Sequence, residues 1–166
     1  MESWLKPLVD VVGGVLSGYP LVVTLLGAGL WNWHPLPGGD VAQVLLVYLN
    51  DGRRVVVKHG PDPVAEAAML RALGRTGAPV PDVLAVDEDA LVLQCLPSDG
   101  RLSRCWDDLA RVLSLVHTGR PEGDGASYGW TGDYAFGAVR VCNDWTDTWP
   151  DFWARHRIGV HLEHVP

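Results

Sequence analysis

The lysine in the run Val55-Val56-Val57-Lys58-His59-Gly60 is the residue whose type and setting best suit chemistry. Only Lys6 and Lys58 are lysines among 13 basic residues; arginine supplies the rest. Lys58 closes a β-branched run, and Glu66 follows eight residues later, early in a helical pattern. A strand lysine and a helix glutamate can meet where the helix packs on the sheet. The carboxylate then orients an ammonium used as a point charge, the arrangement that holds the phosphates of a nucleotide. The same two residues also suit a plainer role: a lysine snorkelling from a strand end and a glutamate on a solvated helix face. Upstream, Pro37-Gly38-Gly39-Asp40 forms a turn whose glycines let backbone amides approach a phosphate closely. An ordinary hairpin turn uses the same residues.

Three further groupings carry less. His156, His161 and His164 gather near the end with Glu163 among them, but they lack the two-histidine i, i+4 spacing of a hydrolytic zinc helix. They read as a solvated helix end, and no metal ligand set is expected. Asp107, Ser114 and His117 lie near one another in sequence without a G-x-S-x-G elbow, so no nucleophilic triad is expected. Trp130, Trp145, Trp149 and Trp153 suit a hydrophobic core better than a sugar-stacking wall, because aromatic side chains dominate core burial.

The elements that must position Lys58 and Glu66 follow from periodicity. Residues 4–16 show a helical recurrence weakened by two glycines, and Leu21–Leu26 is a short β-rich run. Residues 41–49 form an apolar strand, Asn50-Asp51-Gly52 is a hairpin signal, and residues 53–60 supply the returning strand. Pro61-Asp62-Pro63 opens a helix that ends at Gly74 or Gly77. Residues 83–96 read as strand, acidic turn at Asp87-Glu88-Asp89, and strand. Ser98-Asp99-Gly100 is a break. Residues 106–117 are a helix, the glycine- and tyrosine-rich stretch 121–137 is a loop, and Trp149–Leu162 is a last amphipathic helix. Strands first and helices afterwards make an α+β chain with two lobes.

The order glycine turn, strand, hairpin, lysine strand, glutamate helix, two strands and linker resembles the amino-terminal lobe of the protein-kinase-like fold. The details resemble the fructosamine kinase (ketosamine-3-kinase) family, relatives of the aminoglycoside phosphotransferases. The similar stretches are PLPGGDVAQVLLVYLNDGRRVVVK, VAEAAMLRALGRTGAPVPDVLAV, ALVLQCLP and LARVLSLVHT, followed by YGWTGDYAFGAV and NDWTDTWPDFWARHRI. They run from Leu36 to Leu162; residues 1–35 resemble the family only in outline. The resemblance implies that Gly38, Gly39 and Asp40 cover the phosphates, and that Lys58 contacts them with Glu66 as its helix partner. It makes Leu93, Gln94, Cys95 and Leu96 the hinge whose backbone reads the adenine edge, with Gln94 where the family often has glutamate. It also places the tryptophan-rich region on the ketosamine side of the cleft. It implies ATP and Mg²⁺ as cofactors and a ketosamine or glycated protein as acceptor. The family's H-G-D loop and later metal-binding aspartate, which carry catalysis and Mg²⁺, do not occur here: the single His-Gly is His59-Gly60, followed by Pro61. The expectation is therefore an N-lobe over residues 1–97 and the beginning of a helical C-lobe over 98–166, a truncated kinase with no catalytic residue of its own. A non-catalytic chain that binds nucleotide weakly, or that self-associates as a homodimer through the last helix, is the alternative.

Composition bounds these readings. The 166 residues are 48% hydrophobic and 20% charged, which excludes a disordered or collagen-like chain. A net charge of −7 without any basic stripe excludes a duplex nucleic acid as the natural partner. Cys95, Cys105 and Cys142 have no paired spacing, which fits reduced thiols in the cytoplasm. Residues 11–39 carry no charge, yet glycines and Pro20 interrupt the run that a membrane span would need.

Overall fold

The computed structural model describes residues 26–37, 42–97, 102–119, 127–136 and 139–164. The early helix of residues 4–16, nearly all of the run Leu21–Leu26, the turn residues Gly38, Gly39 and Asp40, and the break at Ser98-Asp99-Gly100 lie outside the described residues. The chain divides into two compact units, Met1–Gly119 and Arg120–Pro166.

In the first unit, five strands form one sheet: β1 (Leu30–Pro35), β2 (Gln43–Leu49), β3 (Arg54–His59), β4 (Val83–Val86) and β5 (Leu91–Gln94). Their order across the sheet is β1-β2-β3-β5-β4, and every pairing is antiparallel. Helix α1 (Pro63–Arg75) connects β3 to β4, and helix α2 (Trp106–Thr118) follows β5. The expected hairpin is present: the Leu49 N–H donates to the Arg53 carbonyl at 2.9 Å, and Gly52 sits at φ +89°. That backbone conformation suits glycine because a Cβ would be strained there.

Alternation along the strands sorts the sheet into two faces. Leu45, Val47, Leu49, Val55, Val57, Ala85 and Val92 share one buried cluster, with Leu26, Leu30 and Trp33 packed against it. Leu91 and Leu93 face the other way, where Ala67 and Leu70 of α1 meet them alongside Val56. Lys58 lies two residues beyond Val56 on β3, so it shares the helix-bearing face. The Asp62 carboxylate caps α1 by accepting from the Ala65 N–H at 2.8 Å, and Pro63 opens the first turn.

Three sequence expectations need correction. Strand β1 was not anticipated: Leu30-Trp31-Asn32-Trp33-His34-Pro35 does not alternate apolar with polar, because it is an edge strand with only partial burial. In the second unit, part of the expected loop 121–137 enters a hairpin, β6 (Tyr134–Phe136) with β7 (Val139–Val141). The last helix is not one amphipathic α-helix. It starts as α3 (Trp149–Trp153), widens to a π-helical turn over Ala154–Ile158, and tightens to 3-10 winding over Gly159–His164. The Gly159 N–H donates to the Ala154 carbonyl across the wide turn, where a Cβ would sit 2.9 Å from that oxygen.

Candidate functional site

Strand β3 is the middle strand of the sheet, and register fixes Lys58 between Val44 of β2 and Leu91 of β5. Glu66 stands in the first turn of α1, just after the cap that fixes the helix start. The two side chains meet: Lys58 Nζ donates to Glu66 Oε1 at 2.5 Å. Both are partly buried, at 27% and 19% side-chain exposure, so water screens this pair less than a surface pair. Among the ion pairs of the described residues, it is the one that ties a strand to a helix.

A Cβ at Gly60 would lie 3.9 Å from Glu66 Oε2 and 4.0 Å from the Cβ of Ala42. Ala42 is the first described residue after Gly38-Gly39-Asp40. The turn residues themselves lie outside the described residues. Next to the lysine, His59 Nδ1 lies 3.0 Å from the Asp89 carbonyl. Its buried Nε2 has no hydrogen-bond partner among the described residues.

Gln94, Cys95 and Leu96 lie at the end of β5 and just past it. The Gln94 N–H donates to the Asp82 carbonyl at 2.9 Å, and its side-chain oxygen accepts from the Asp82 N–H at 3.3 Å. Gln94 is thus engaged with the segment leading into β4, and Leu96, at 46% exposure, opens to solvent. Register puts Gln94 opposite Val55 and Leu91 opposite Lys58, a separation of about 10 Å along the strands at ~3.3 Å per residue. Chemically, the arrangement can fix one ammonium on the central strand beside a helix carboxylate.

The other groupings resolve differently. Asp107 and Ser114 are two helical turns apart on α2, roughly 10 Å at 1.5 Å per residue, so no triad forms. The tryptophans are not core. Trp145, Trp149 and Trp153 are 53%, 50% and 46% exposed, while Phe152 is buried in their place. Trp149 contacts the rings of Tyr128, Phe152 and Trp153 at centroid distances of 5.8, 5.8 and 5.3 Å, forming an aromatic surface instead. Of the C-terminal histidines, His156 packs on Phe152, with ring centroids 5.5 Å apart. It lies near Cys142 and Asp144, which are far from it in sequence and outside the C-terminal histidine cluster. In sequence these are a Cys-x-Asp on one segment and a histidine on the next.

Electrostatics in the second unit centre on the loop after β7. Asp133 is held below its ordinary value by the Asn143 N–H and then by Arg140, whose guanidinium donates to it twice. At Cys142 a backbone hydrogen bond from Asp144 favours the thiolate. Burial and the carboxylates of Asp144 and Asp133 outweigh it and push the thiol up. The three cysteines are all free thiols.

Comparison with known proteins gives these features a setting. The family model for fructosamine kinase matches residues 29–165. The Synechocystis protein named Probable ketoamine kinase is 32% identical over 103 residues, which is 59% of this chain and 34% of the relative. A crystal structure of a candidate fructosamine-3-kinase from Thermobifida fusca superposes with a TM-score of 0.71 at 28% identity, covering 86% of this chain and 51% of that one. A second, from Haemophilus somnus, gives 0.69 at 20% identity over 92% of this chain and 55% of the other, and at that identity it shows the fold alone. The chain therefore spans a third to about half of the length of these relatives. With the kinase-like α+β fold in common and the family model matching over most of its length, the chain belongs to the fructosamine kinase family.

Proposed function

We propose that this chain is the nucleotide-side part of an ATP-dependent kinase for ketosamines. In that reading Gly38, Gly39 and Asp40 cover the phosphates of ATP, and Lys58, oriented by Glu66, contacts them. The backbone of Cys95 and Leu96 reads the adenine edge, with Gln94 bracing the hinge through Asp82. The Lys58–Glu66 pair carries the reading. It joins the central strand to the first turn of the following helix, the placement from which a carboxylate can orient an ammonium toward phosphates. Transfer to a sugar hydroxyl of a glycated amine also needs an acceptor-orienting aspartate and Mg²⁺ ligands. Their family motif is not found in these 166 residues, so the reading assigns this segment nucleotide binding and not turnover. The N-lobe is taken as residues 1–97 and the C-lobe as starting at 98. A cytoplasmic setting belongs to the same reading and fits the three free thiols.

Titration with a fluorescent ATP analogue tests this. The 166-residue chain should bind weakly and with little dependence on Mg²⁺, and Lys58→Met should reduce binding by roughly tenfold or more, as expected when a charge-assisted phosphate contact worth ~1.5–3 kcal/mol is lost. Tight, magnesium-dependent binding, or binding indifferent to Lys58→Met, would contradict the assignment.

One observation favours a second property, self-association. The exposed rings of Trp149 and Trp153, with Ile158 and Leu162 at 55% and 65% exposure, make the last helical segment a surface suited to a homodimer contact.

A further inference from the structure

We propose that Cys142, Asp144 and His156 form a three-ligand site for a zinc-class transition-metal ion, with a fourth position open to water. One ligand atom from each residue lies within 4.8 Å of the others, and Cys142 Sγ is 3.3 Å from Asp144 Oδ2. Bond lengths of ~2.0–2.3 Å around a tetrahedral zinc put ligand atoms roughly 3.3–3.8 Å apart, so the site closes by side-chain movements of about 1 Å. The donor set selects the metal class. A thiolate with an imidazole suits zinc or cobalt, whereas magnesium and calcium take oxygen ligands.

The stronger argument is the scaffold, which holds the ligands in place without using them. Asn143, between the two loop ligands, is buried at 5% exposure. Its N–H donates to Asp133 at 3.0 Å, and its side-chain amide donates to the Gly132 carbonyl at 3.0 Å. Arg157, next to His156, reaches across from the helical segment. It donates to the Cys142 carbonyl at 2.8 Å and to Asn143 Oδ1 at 2.6 Å. Its guanidinium also lies 4.5 Å from the centre of the Phe152 ring, an i, i+5 contact of the kind the π-helical turn aligns. Phe152 in turn packs against the His156 ring. One arginine thus clamps the loop that carries two ligands to the helix that carries the third. Outer contacts of this kind orient ligands in built metal sites. On binding, the Cys142 thiol gives its proton to solvent and its sulfur to the ion, and the metal replaces the Cys142–Asp144 hydrogen bond. The site is independent of the nucleotide reading.

Cobalt(II) tests it, because a cobalt–thiolate bond adds near-ultraviolet charge-transfer absorption. In the full chain carrying Cys95→Ser and Cys105→Ser, one equivalent of Co²⁺ should produce that band. Zn²⁺ should displace it and Mg²⁺ in large excess should not. Cys142→Ser should abolish the band, and Asp144→Asn and His156→Gln should each weaken Co²⁺ binding by roughly tenfold or more. Should Cys142→Ser fail to fold, the parent chain still decides: Zn²⁺ must protect Cys142 from alkylation, read by mass spectrometry. A chain that gives no stoichiometric thiolate band, leaves Cys142 unprotected, or binds Co²⁺ equally well as His156→Gln overturns the proposal.

Discussion

Lys58 and Glu66 could be paired from the sequence because two constraints converged on them. A β-branched strand ending in lysine fixes where the ammonium starts, and a Pro-Asp-Pro helix opening fixes where the carboxylate must stand. The ion pair meets both constraints. Cys142, Asp144 and His156 could not be found that way, because nothing in sequence announces that a π-helical turn and Arg157 bring residue 156 to residues 142–144. The tryptophans misled for a related reason. Aromatic size predicts burial on average, but Phe152 takes the one buried position of α3 and leaves Trp149 and Trp153 outside. A charged residue in the β2–β3 turn gives a pH-dependent prediction. Asp51 accepts from the Arg53 side chain at 2.8 Å and from the Arg53 N–H at 3.0 Å, contacts that hold its carboxyl below the ordinary aspartate value of 3.8. A carboxylate with a depressed folded value contributes stability that is complete above the ordinary value and is lost as pH falls through the lower one. Arg53 also donates to the Leu26 carbonyl at 2.7 Å, so the same contacts join the turn to the chain before β1. The hairpin amides should therefore exchange faster with solvent as pH drops below about 4 once intrinsic rates are corrected, and Asp51→Asn should remove that acid sensitivity. An Asp51 carboxyl titrating at the ordinary value by NMR would refute the prediction.

Legibility at the level of elements followed signal strength. The β2–β3 hairpin, α1 and the β4–β5 pair each had a breaker at both ends and one dominant period, and each stands within a few residues of its expected range. Strand β1 and the β6–β7 hairpin lacked those marks. β1 mixes Trp31, Asn32, Trp33 and His34 on an edge, while β6 and β7 are three residues each, too short for any period to show. Helix α1 matters most for the site, since its start fixes the position of Glu66. The Asp62 cap satisfies one of the N–H groups left open by the first turn, and Glu66 N–H donates to the Asp62 carbonyl at 3.1 Å. Asp62→Ala should cost about 1 kcal/mol in urea-induced unfolding of the first unit. It should also weaken the nucleotide analogue's binding, because fraying there releases the partner of Lys58. Full stability in the Asp62→Ala chain would show that Pro63 alone sets the helix start.

At the scale of the whole chain, family membership was legible from the order of soft motifs, none of which was specific alone. Order is informative because each motif occupies a place that the kinase-like topology demands: lysine on the central strand, glutamate on the next helix, then two more strands of the same sheet. The boundary between the two compact units falls after Gly119, which leaves α2 in the first unit. What the chain does with its exposed apolar side chains is a property of the molecule in solution. Trp149 and Trp153 present tilted rings 5.3 Å apart on one helical segment, and Ile158 and Leu162 add exposed apolar side chains further along it. Covering ~300 Å² of such surface would contribute about 7 kcal/mol gross at ~25 cal/mol per Å². Lost rigid-body freedom and side-chain ordering cost an estimated ~4–15 kcal/mol, so a weak, concentration-dependent dimer is the expected outcome. Light scattering across a concentration series should show the mass rising from 18.1 kDa toward twice that value, and Trp153→Ser should shift the midpoint to higher concentration. Trp153 is 46% exposed, so the substitution leaves no cavity, and its effect on association can be separated from unfolding by an unchanged melting temperature at low concentration. A mass that stays at 18.1 kDa at millimolar concentration would refute association through this surface.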